Sequence, residues 1–360
     1  MNISEKSKKI IDSCRFCWMC RHVCPIGNAT GLERNTARAR ALGASLVVRG
    51  ATELNEIADN VYECMLCGAC TNNCMTGWDP KVFIYELRRE IVYAGCAPEY
   101  IKALISKRIE SGNVFGLPVP EKLTKAAKKN GKTLFFAGAT AVYKAPECVL
   151  DALGLIEKAG EKCAFDPLLN SGADLWFLTG KTKETFDAAS RCAQALSGYD
   201  QVVVYDPKDL AFLLHECREW GVEIKTSLVS FNEYLNNLID SGKIKVNKSE
   251  KEYALQDSYA YARDLGDCES GRKIIDKVGV RKEMLLIGKE ADAAGELIMR
   301  EYMPAVIDAA ARNRWTSAKN MNCFTLVTES PDEYVTLLAT KPENFEVFTL
   351  EKIILNNMGE

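Results

Sequence analysis

The spacing of hydrophobic residues predicts helices in the first hundred residues of the chain. In the segment 79–95, apolar residues recur at roughly helical intervals. Asp79 is placed to cap the start of this helix and Gly95 to end it. The stretch 33–63 follows a similar pattern, with Thr52 as a candidate N-cap. We therefore expect a compact, mostly helical unit at the amino-terminal end.

Beyond residue 132, short apolar runs alternate with amphipathic stretches. The apolar runs predict strands over 133–140, 201–206, 222–229, 251–257 and 323–330. The amphipathic stretches predict helices over 145–160, 183–198, 210–221, 271–279, 301–322 and 330–340, with a loop or short helix at 173–180. Such alternation is typical of parallel sheets flanked by helices. The order of elements repeats, which indicates two related α/β halves.

Composition and charge exclude several classes of protein. Of the 360 residues, 47% are hydrophobic and 26% are charged, which is ordinary for a soluble globular protein. The net charge of −3 gives no basic surface for nucleic acid. No apolar run approaches the ~18–20 residues of a membrane span, and the amino-terminal segment lacks the apolar core of a secretory signal. We expect a cytoplasmic protein without a transmembrane segment.

Cysteine is the most informative residue type in this chain. Fifteen cysteines are present, and eight of them fall in two groups within the first 75 residues. The first group is Cys14, Cys17, Cys20 and Cys24, and the second group is Cys64, Cys67, Cys70 and Cys74. Both have the spacing C-x2-C-x2-C-x3-C, by which a short loop wraps three thiolates around one iron–sulfur cubane. Pro25 completes the motif after the first run, and Met75 stands at that place in the second.

The fourth cysteine of such a run ligates the neighbouring cluster rather than its own. The sequence therefore predicts two [4Fe–4S] clusters with crossed ligands. The first cluster is assigned Cys14, Cys17, Cys20 and Cys74. The second cluster is assigned Cys64, Cys67, Cys70 and Cys24. The crossing would join the two segments and bring the clusters close enough for electron transfer.

Other cofactors explain the two runs less well. A structural zinc site takes four ligands, usually as two separated pairs, and disulfides conflict with a reducing compartment. No GxGxxG follows a predicted strand and no GxxxxGK[ST] occurs, so the sequence carries no signal for nucleotide binding.

Several residues outside the cysteine set are candidates for tuning the clusters or for simple packing. The apolar candidates, which would shield the clusters or pack the loops, are Trp18, Met19, Met65 and Leu66. The basic candidates, which would balance cluster charge, grip a partner or face solvent, are Arg34, Arg38 and Arg40. Of the two histidines, His22 would hydrogen-bond near a cluster sulfur or pack, and His215 would lie on a helix face. The other cysteines, expected to be small buried residues, are Cys96, Cys148, Cys163, Cys192, Cys217, Cys268 and Cys323.

Two such runs separated by a helical stretch resemble the amino-terminal ferredoxin module of a known family. Its members are the iron–sulfur subunits of glycolate oxidase, anaerobic glycerol-3-phosphate dehydrogenase and heterodisulfide reductase. The segment ATGLERNTARAR at 29–40 is similar to the arginine-bearing stretch that follows the first run in that family.

The carboxyl-terminal part resembles the same family more faintly. There the family has two halves with cysteine-rich CCG signatures, which hold an unusual iron–sulfur centre or act in thiol chemistry. The resemblance implies that this chain keeps the surroundings and has lost the cysteines. The residues at those places are Ala139, Asn170, Ser171, Asp206 and Asp209 in the first half, and Tyr259, Ala293, Ala294, Ser330 and Glu333 in the second. These side chains are poor substitutes for thiolates around iron, so we expect no cluster there.

The expected architecture is an α-helical ferredoxin domain with two [4Fe–4S] clusters, followed by an α/β domain of two related halves with parallel sheets. The predicted boundaries are 1–109 for the ferredoxin domain, 110–132 for a linker, 133–245 for the first degenerate CCG-like half and 246–360 for the second.

The expected function is that of a non-catalytic electron-transfer subunit in a multi-subunit oxidoreductase. The resemblance implies a flavoprotein (FAD-linked) dehydrogenase as partner, and a soluble carrier or a quinone as acceptor. Two alternatives stay open. One is a thiol–disulfide reductase of the heterodisulfide reductase type, and the other is a structural or sensory iron–sulfur protein.

Overall fold

The first hundred residues of the protein are helical in the computed structural model, which describes residues 2–359. Their helices, together called the helical unit, are Glu5–Ser13, Pro25–Thr30, Ala37–Val48, Leu54–Tyr62, Ala69–Asn72, Pro80–Tyr93 and Glu99–Ser111, with a 3-10 turn at Glu33–Asn35. The helix predicted at 79–95 is confirmed. The Asp79 side chain accepts a hydrogen bond of 3.0 Å from the backbone N–H of Lys81, and Gly95 follows the last turn with a φ of 69°.

The N-cap predicted at Thr52 is wrong. The helix begins at Leu54, and the preceding Glu53 makes no side-chain bond to its first turn. The Thr52 hydroxyl instead donates to the carboxylate of Glu56.

Two four-stranded sheets, both entirely parallel, follow the helical unit. The strands of the first half are β1 (Thr133–Phe136), β2 (Cys163–Phe165), β3 (Gln201–Val204) and β4 (Ser227–Ser230). Those of the second half are β5 (Glu252–Gln256), β6 (Val280–Lys282), β7 (Thr325–Thr328) and β8 (Glu346–Thr349). Their spatial orders, β2-β1-β3-β4 and β6-β5-β7-β8, are the same. The prediction of parallel sheets is confirmed, and the two sheets share one strand order.

Helices connect and cover these strands. In the first half they are Glu121–Ala126, Ala139–Lys144, Pro146–Lys158, Ala173–Thr179, Lys183–Leu196, Pro207–Ala211, Cys217–Glu219 and Phe231–Asp240. In the second half they are Ser270–Val278, Leu297–Arg300, Pro304–Asn320, Pro331–Thr340 and Leu350–Asn356, with a 3-10 turn at Gly288–Glu290. Two segments have the wider π geometry, Phe212–Glu216 and Ala260–Leu265. The predicted linker at 110–132 thus contains the helix Glu121–Ala126. No helix within residues 2–359 is both long and apolar enough to cross a bilayer.

Continuous apolar packing joins the three parts of the molecule. One buried core connects Leu87 of the helical unit to Phe177 of the first half and Ile298 of the second. Another connects Phe135 and Leu255, which lie on opposite sheets. Burial of this kind is the main favourable contribution to folding. The helical unit is therefore fixed against both halves rather than tethered to them.

The helical unit and the first half also meet backbone to backbone. Gly180 has a φ of 61°, and a Cβ at this position would lie 2.2 Å from the carbonyl oxygen of Tyr85. Nearby, the Tyr62 hydroxyl donates to the carbonyl of Leu178 at 2.9 Å. Only glycine permits so close an approach with that backbone conformation.

Candidate iron–sulfur site

The two cysteine runs share an unusual backbone conformation. Phe16 and Leu66, each two residues after the first cysteine of its run, have φ values of 51° and 58°. Trp18 and Gly68, each directly after the second cysteine, have φ values of 71° and 73°. Alternation of right- and left-handed residues makes successive N–H groups converge into a concavity that binds anions, including iron–sulfur clusters. The same concavity is therefore built twice, once with a tryptophan at a position where the other loop has glycine.

The first predicted ligand set comes together in the structure. Burial raises the pKa of Cys14, and the nearby charges of Cys74 and Cys17 raise it further. Burial likewise raises the pKa of Cys20 to about 11, with a contribution from Cys14. The fourth cysteine of the second run is therefore near Cys14 of the first run.

The second predicted set comes together in the same way. Burial raises the pKa of Cys70 well above its usual value, and the neighbouring Cys64, Cys67 and Cys24 add to this. Cys20 is also close enough to Cys70 to contribute. The two sets of thiols therefore adjoin one another.

The two loops differ in their exposure to solvent. Cys17 is exposed, and it is surrounded by an outer patch of exposed apolar side chains that consists of Phe16, Trp18, Met19 and Met75. In the second loop, Met65 and Leu66 are only 2% and 5% exposed. Of the four predicted shielding residues, the two in the second run are buried and the two in the first run face outward.

The three arginines after the first run have separate roles. Arg40 is 2% exposed, lies close to Cys24 and donates to the carbonyls of Asn60 and Glu63 at 3.0 and 2.5 Å. Arg38 lies over the Trp18 ring, 4.1 Å from its centroid. Arg34 is exposed and pairs with the Glu63 carboxylate. Arg40 is thus placed to balance charge at the second set.

Hydrogen bonds to sulfur add to this balance. Backbone N–H groups of Gly27 and Leu66 point at the sulfurs of Cys24 and Cys64, both at 3.4 Å. Although burial opposes it, hydrogen bonds from Thr76 and the following backbone lower the pKa of Cys74. Such bonds favour negative charge on sulfur and tune cluster potentials.

The donor set suits a cubane. Eight thiols in two adjoining groups of four match the four-thiolate ligation of two [4Fe–4S] clusters. No three His, Cys, Asp or Glu side chains within residues 2–359 are close enough to share a single metal ion. A cubane has no such requirement, because each thiolate binds a different iron.

Comparison with known proteins agrees with this chemistry. Residues 10–78 match the 4Fe-4S dicluster domain family. One subunit of the dihydromethanophenazine:CoB--CoM heterodisulfide reductase of Methanosarcina acetivorans is 25% identical over 316 residues, which cover 77% of this chain and 75% of that protein. The same subunit of the Methanosarcina mazei enzyme is 24% identical over 332 residues, with the same coverage. The chain thus carries a 4Fe-4S domain and is similar over most of its length to a heterodisulfide reductase subunit.

A solved structure shares the fold across nearly the whole chain. It is a hypothetical protein from Helicobacter pylori, which superimposes with a TM-score of 0.67 over 99% of this chain and 73% of that chain. The sequences are 15% identical, so this similarity concerns the fold alone.

In this iron–sulfur protein, the positions at which the family resemblance places CCG cysteines lie at the carboxyl ends of the strands. In the first half, Ser171 donates to Asp209, and Asp206 caps the helix that starts at Pro207. In the second half, the Tyr259 hydroxyl donates to Glu296 at 2.8 Å. Polar side chains have replaced thiols here and bond to one another.

A buried lysine joins these two groups of polar residues. The Lys208 amine lies 3.0 Å from Glu296 and 2.8 Å from Asp332, and both carboxylates are fully buried. Burial raises the pKa of Glu296 above its usual value, although Lys208 opposes this. The network links the two halves where the family resemblance places metal chemistry.

The remaining cysteines are dispersed. Cys148, Cys163, Cys192, Cys217 and Cys323 are buried, as predicted, whereas Cys96 and Cys268 are half-buried. His22 is exposed. His215 lies on the π segment, and its Nε2 is 3.1 Å from the carbonyl of Asp264.

Two arginines at the second cysteine loop are absent from the residues predicted to act at the site. Arg88 is fully buried and donates to the carbonyls of Cys64, at 2.8 Å, and Phe177. Arg263 donates to the carbonyl of Cys67 at 2.9 Å. The sequence could have indicated that Arg88 is buried, because it lies four residues after Ile84 on the apolar face of the helix predicted at 79–95.

Proposed function

We propose that this protein holds two [4Fe–4S] clusters on the crossed ligand sets and relays electrons within a larger oxidoreductase complex. The observation that supports this proposal most directly is the pair of cysteine loops with left-handed residues at matching positions. Their thiols lie near one another in the two proposed groups of four. When bound, the clusters would supply one-electron redox chemistry. The chain's own residues hold the sulfurs, supply balancing charge and exclude water.

The exposed first loop is the end of the molecule suited to a protein partner. The outer patch presents Trp18 at 48% and Met75 at 88% exposure, flanked by the exposed Arg15 and Arg21. Aromatic residues, methionine and arginine are enriched at protein interfaces. In line with the family resemblance, we assign the patch to a flavoprotein dehydrogenase partner that presents carboxylates around an apolar centre.

The buried second loop faces the interior of the chain. Met65 and Leu66 separate it from solvent, while Arg40 and Arg263 lie close to its sulfurs. Close placement of Cys20 and Cys70 gives the two sets a direct connection through protein. Electrons would therefore pass between the exposed and the buried set without crossing bulk water, on the way to a soluble or quinone acceptor.

Iron content and ligand pairing test this proposal. Anaerobically purified protein should hold about eight irons per chain, and about four after loss of one cluster. Cys24→Ser and Cys70→Ser should perturb the same electron paramagnetic resonance signal, whereas Cys14→Ser should perturb the other. Cys96→Ser, a half-buried cysteine outside both sets, is the matched control and should leave both signals unchanged. If Cys24→Ser and Cys14→Ser perturb the same signal, the crossed assignment is wrong.

The alternative function is reduction of a disulfide, which the relatives' names describe for their own complex. Against it, the structure has Ala139, Ser171, Asp209, Tyr259 and Ala294 at the places where thiol chemistry would require cysteines. Iron clearly above eight per chain, or disulfide reduction by the isolated chain, would favour the alternative. Substrate oxidation by the isolated chain would defeat the electron-transfer proposal, and clusters that cannot be reduced reversibly would favour a structural or sensory role.

A further inference from the structure

A cavity of about 480 Å³ lies between the helical unit and the α/β halves. One wall is the helix Pro80–Tyr93, and another is the helix Ala173–Thr179. Its floor includes Ala139 and Asp206, which follow β1 and β3, and Leu66 of the second cysteine loop also lines it. Its size falls within the range of about 300–1,000 Å³ that is usual for small-molecule sites.

The cavity occupies the position where open α/β sheets bind ligands. In the order β2-β1-β3-β4, the chain leaves β1 towards one edge and β3 towards the other. The crevice beyond the carboxyl ends of these two strands is the topological switch point. In the second sheet, Tyr259 and Asp332 follow β5 and β7, and they bond to Glu296 and Lys208 respectively. The cavity therefore lies at the switch point of the first sheet.

Aromatic side chains form one side of the open cavity. The rings of Tyr85 and Trp176 are stacked, with centroids 3.9 Å apart and planes 12° from parallel, and Trp220 lies nearby in the lining. The indole N–H groups of Trp78 and Trp315 are bonded to carbonyls. Within residues 2–359, those of Trp176 and Trp220 have no such partner. This wall offers flat apolar contact together with unused hydrogen-bond donors.

The electrostatics of the cavity disfavour an anion. Asp206, Asp209 and Glu216 all line it. Burial raises the pKa of Asp209 and of Glu216 to about 7 in each case. Two cations of the lining are already engaged, since the partly exposed Lys81 pairs with Asp264 at 2.5 Å and the buried Lys208 pairs with two carboxylates. An anionic ligand would meet carboxyl groups without a free buried cation to offset them.

We propose that this cavity binds an uncharged, flat, conjugated organic molecule that carries hydrogen-bond acceptors, with its ring against Tyr85 and Trp176. Stacking on the aromatic wall gives affinity, the two indole donors select acceptor atoms, and the carboxyl groups exclude anions. The inference goes beyond electron transfer and does not depend on it, because binding is measured without electron flow.

Equilibrium dialysis of the anaerobic holoprotein with lumiflavin tests the proposal. Lumiflavin is uncharged, flat and rich in acceptor atoms, and 10-carboxymethylflavin is the same ring with one carboxylate. We expect one lumiflavin per chain, bound at least about tenfold more tightly than the carboxylate analogue. Tyr85→Leu should weaken binding about fivefold through the lost ring contact. Tyr93→Leu, on the same helix but 60% exposed, should leave the affinity unchanged.

A second variant guards against a folding defect in the first. Ala173→Phe places a ring in the cavity from one wall and should abolish binding while the cluster absorbance stays intact. Equal affinity for the two flavins, absence of saturable lumiflavin binding, or undiminished binding by Ala173→Phe would each overturn the proposal. None of these outcomes would touch the iron count or the ligand pairing, so the two proposals fail separately.

Discussion

Replacing Arg40 with methionine should make the cluster at the second ligand set harder to reduce. The guanidinium is buried beside Cys24 and is also close to Cys64. Taking the lost charge to act over about 4–7 Å at an effective dielectric of about 20 gives about 2–4 kcal/mol per added electron. For a one-electron couple this corresponds to a potential about 90–170 mV more negative.

A redox titration followed by electron paramagnetic resonance would measure this shift. Arg34→Met is the matched control, because Arg34 comes from the same stretch but its side chain is 59% exposed. Solvent and salt screen such a charge, so its loss should move either potential by less than about 20 mV. Arg40→Lys should leave the reduction potential of this cluster close to that of the unmodified protein, since the positive charge remains. Equal shifts in Arg40→Met and Arg34→Met would refute the assignment of Arg40 to the second set.

Four further substitutions test the packing, each measured by unfolding in guanidinium chloride. Lys208→Met should lower the free energy of unfolding by about 3–5 kcal/mol, because two fully buried carboxylates lose their cation. Burial holds the pKa of Glu296 above its usual value, so the loss of stability should grow as pH rises and this carboxyl ionises. A loss of stability that becomes smaller with rising pH would contradict the network. Gly180→Ala should cost over about 3 kcal/mol, since its Cβ would meet a carbonyl, whereas Gly154→Ala, with nothing within 4 Å, should stabilise by about 0.5–1 kcal/mol. Gly68→Ala should cost about 1–2 kcal/mol for its positive φ alone, and a loss well above this would indicate a clash that the structure does not contain.

The sequence predicts long periodic elements well and short edge strands poorly. The main helices and central strands β1, β3, β5 and β7 were found because each buries an apolar face. β2 and β6 have three residues each, and β6 reads Val-Arg-Lys with no buried residue. Such a strand is specified by its neighbour in the sheet rather than by its own composition.

In the candidate site, too, features set by local sequence were predicted and features set by distant residues were not. Cysteine spacing predicts which sulfurs belong together, since the wrap around a cubane is a local property of the chain. It does not predict that Met65 is buried while Met19, in the other run, is exposed. The difference arises where the α/β halves cover the second loop, as at Arg263, which donates to the carbonyl of Cys67. Lys208 was missed for the same reason, because its two carboxylate partners are distant in sequence.

Arg88 connects the wall of the cavity to the second cysteine loop. Its planar guanidinium connects the carbonyl of Phe177, in the cavity wall, to that of Cys64, in the second loop. It is fully buried, so a shift of that wall would also move the backbone of Cys64, the first cysteine of the run. A ligand bound in the cavity would therefore act on the backbone around the second ligand set through a single side chain.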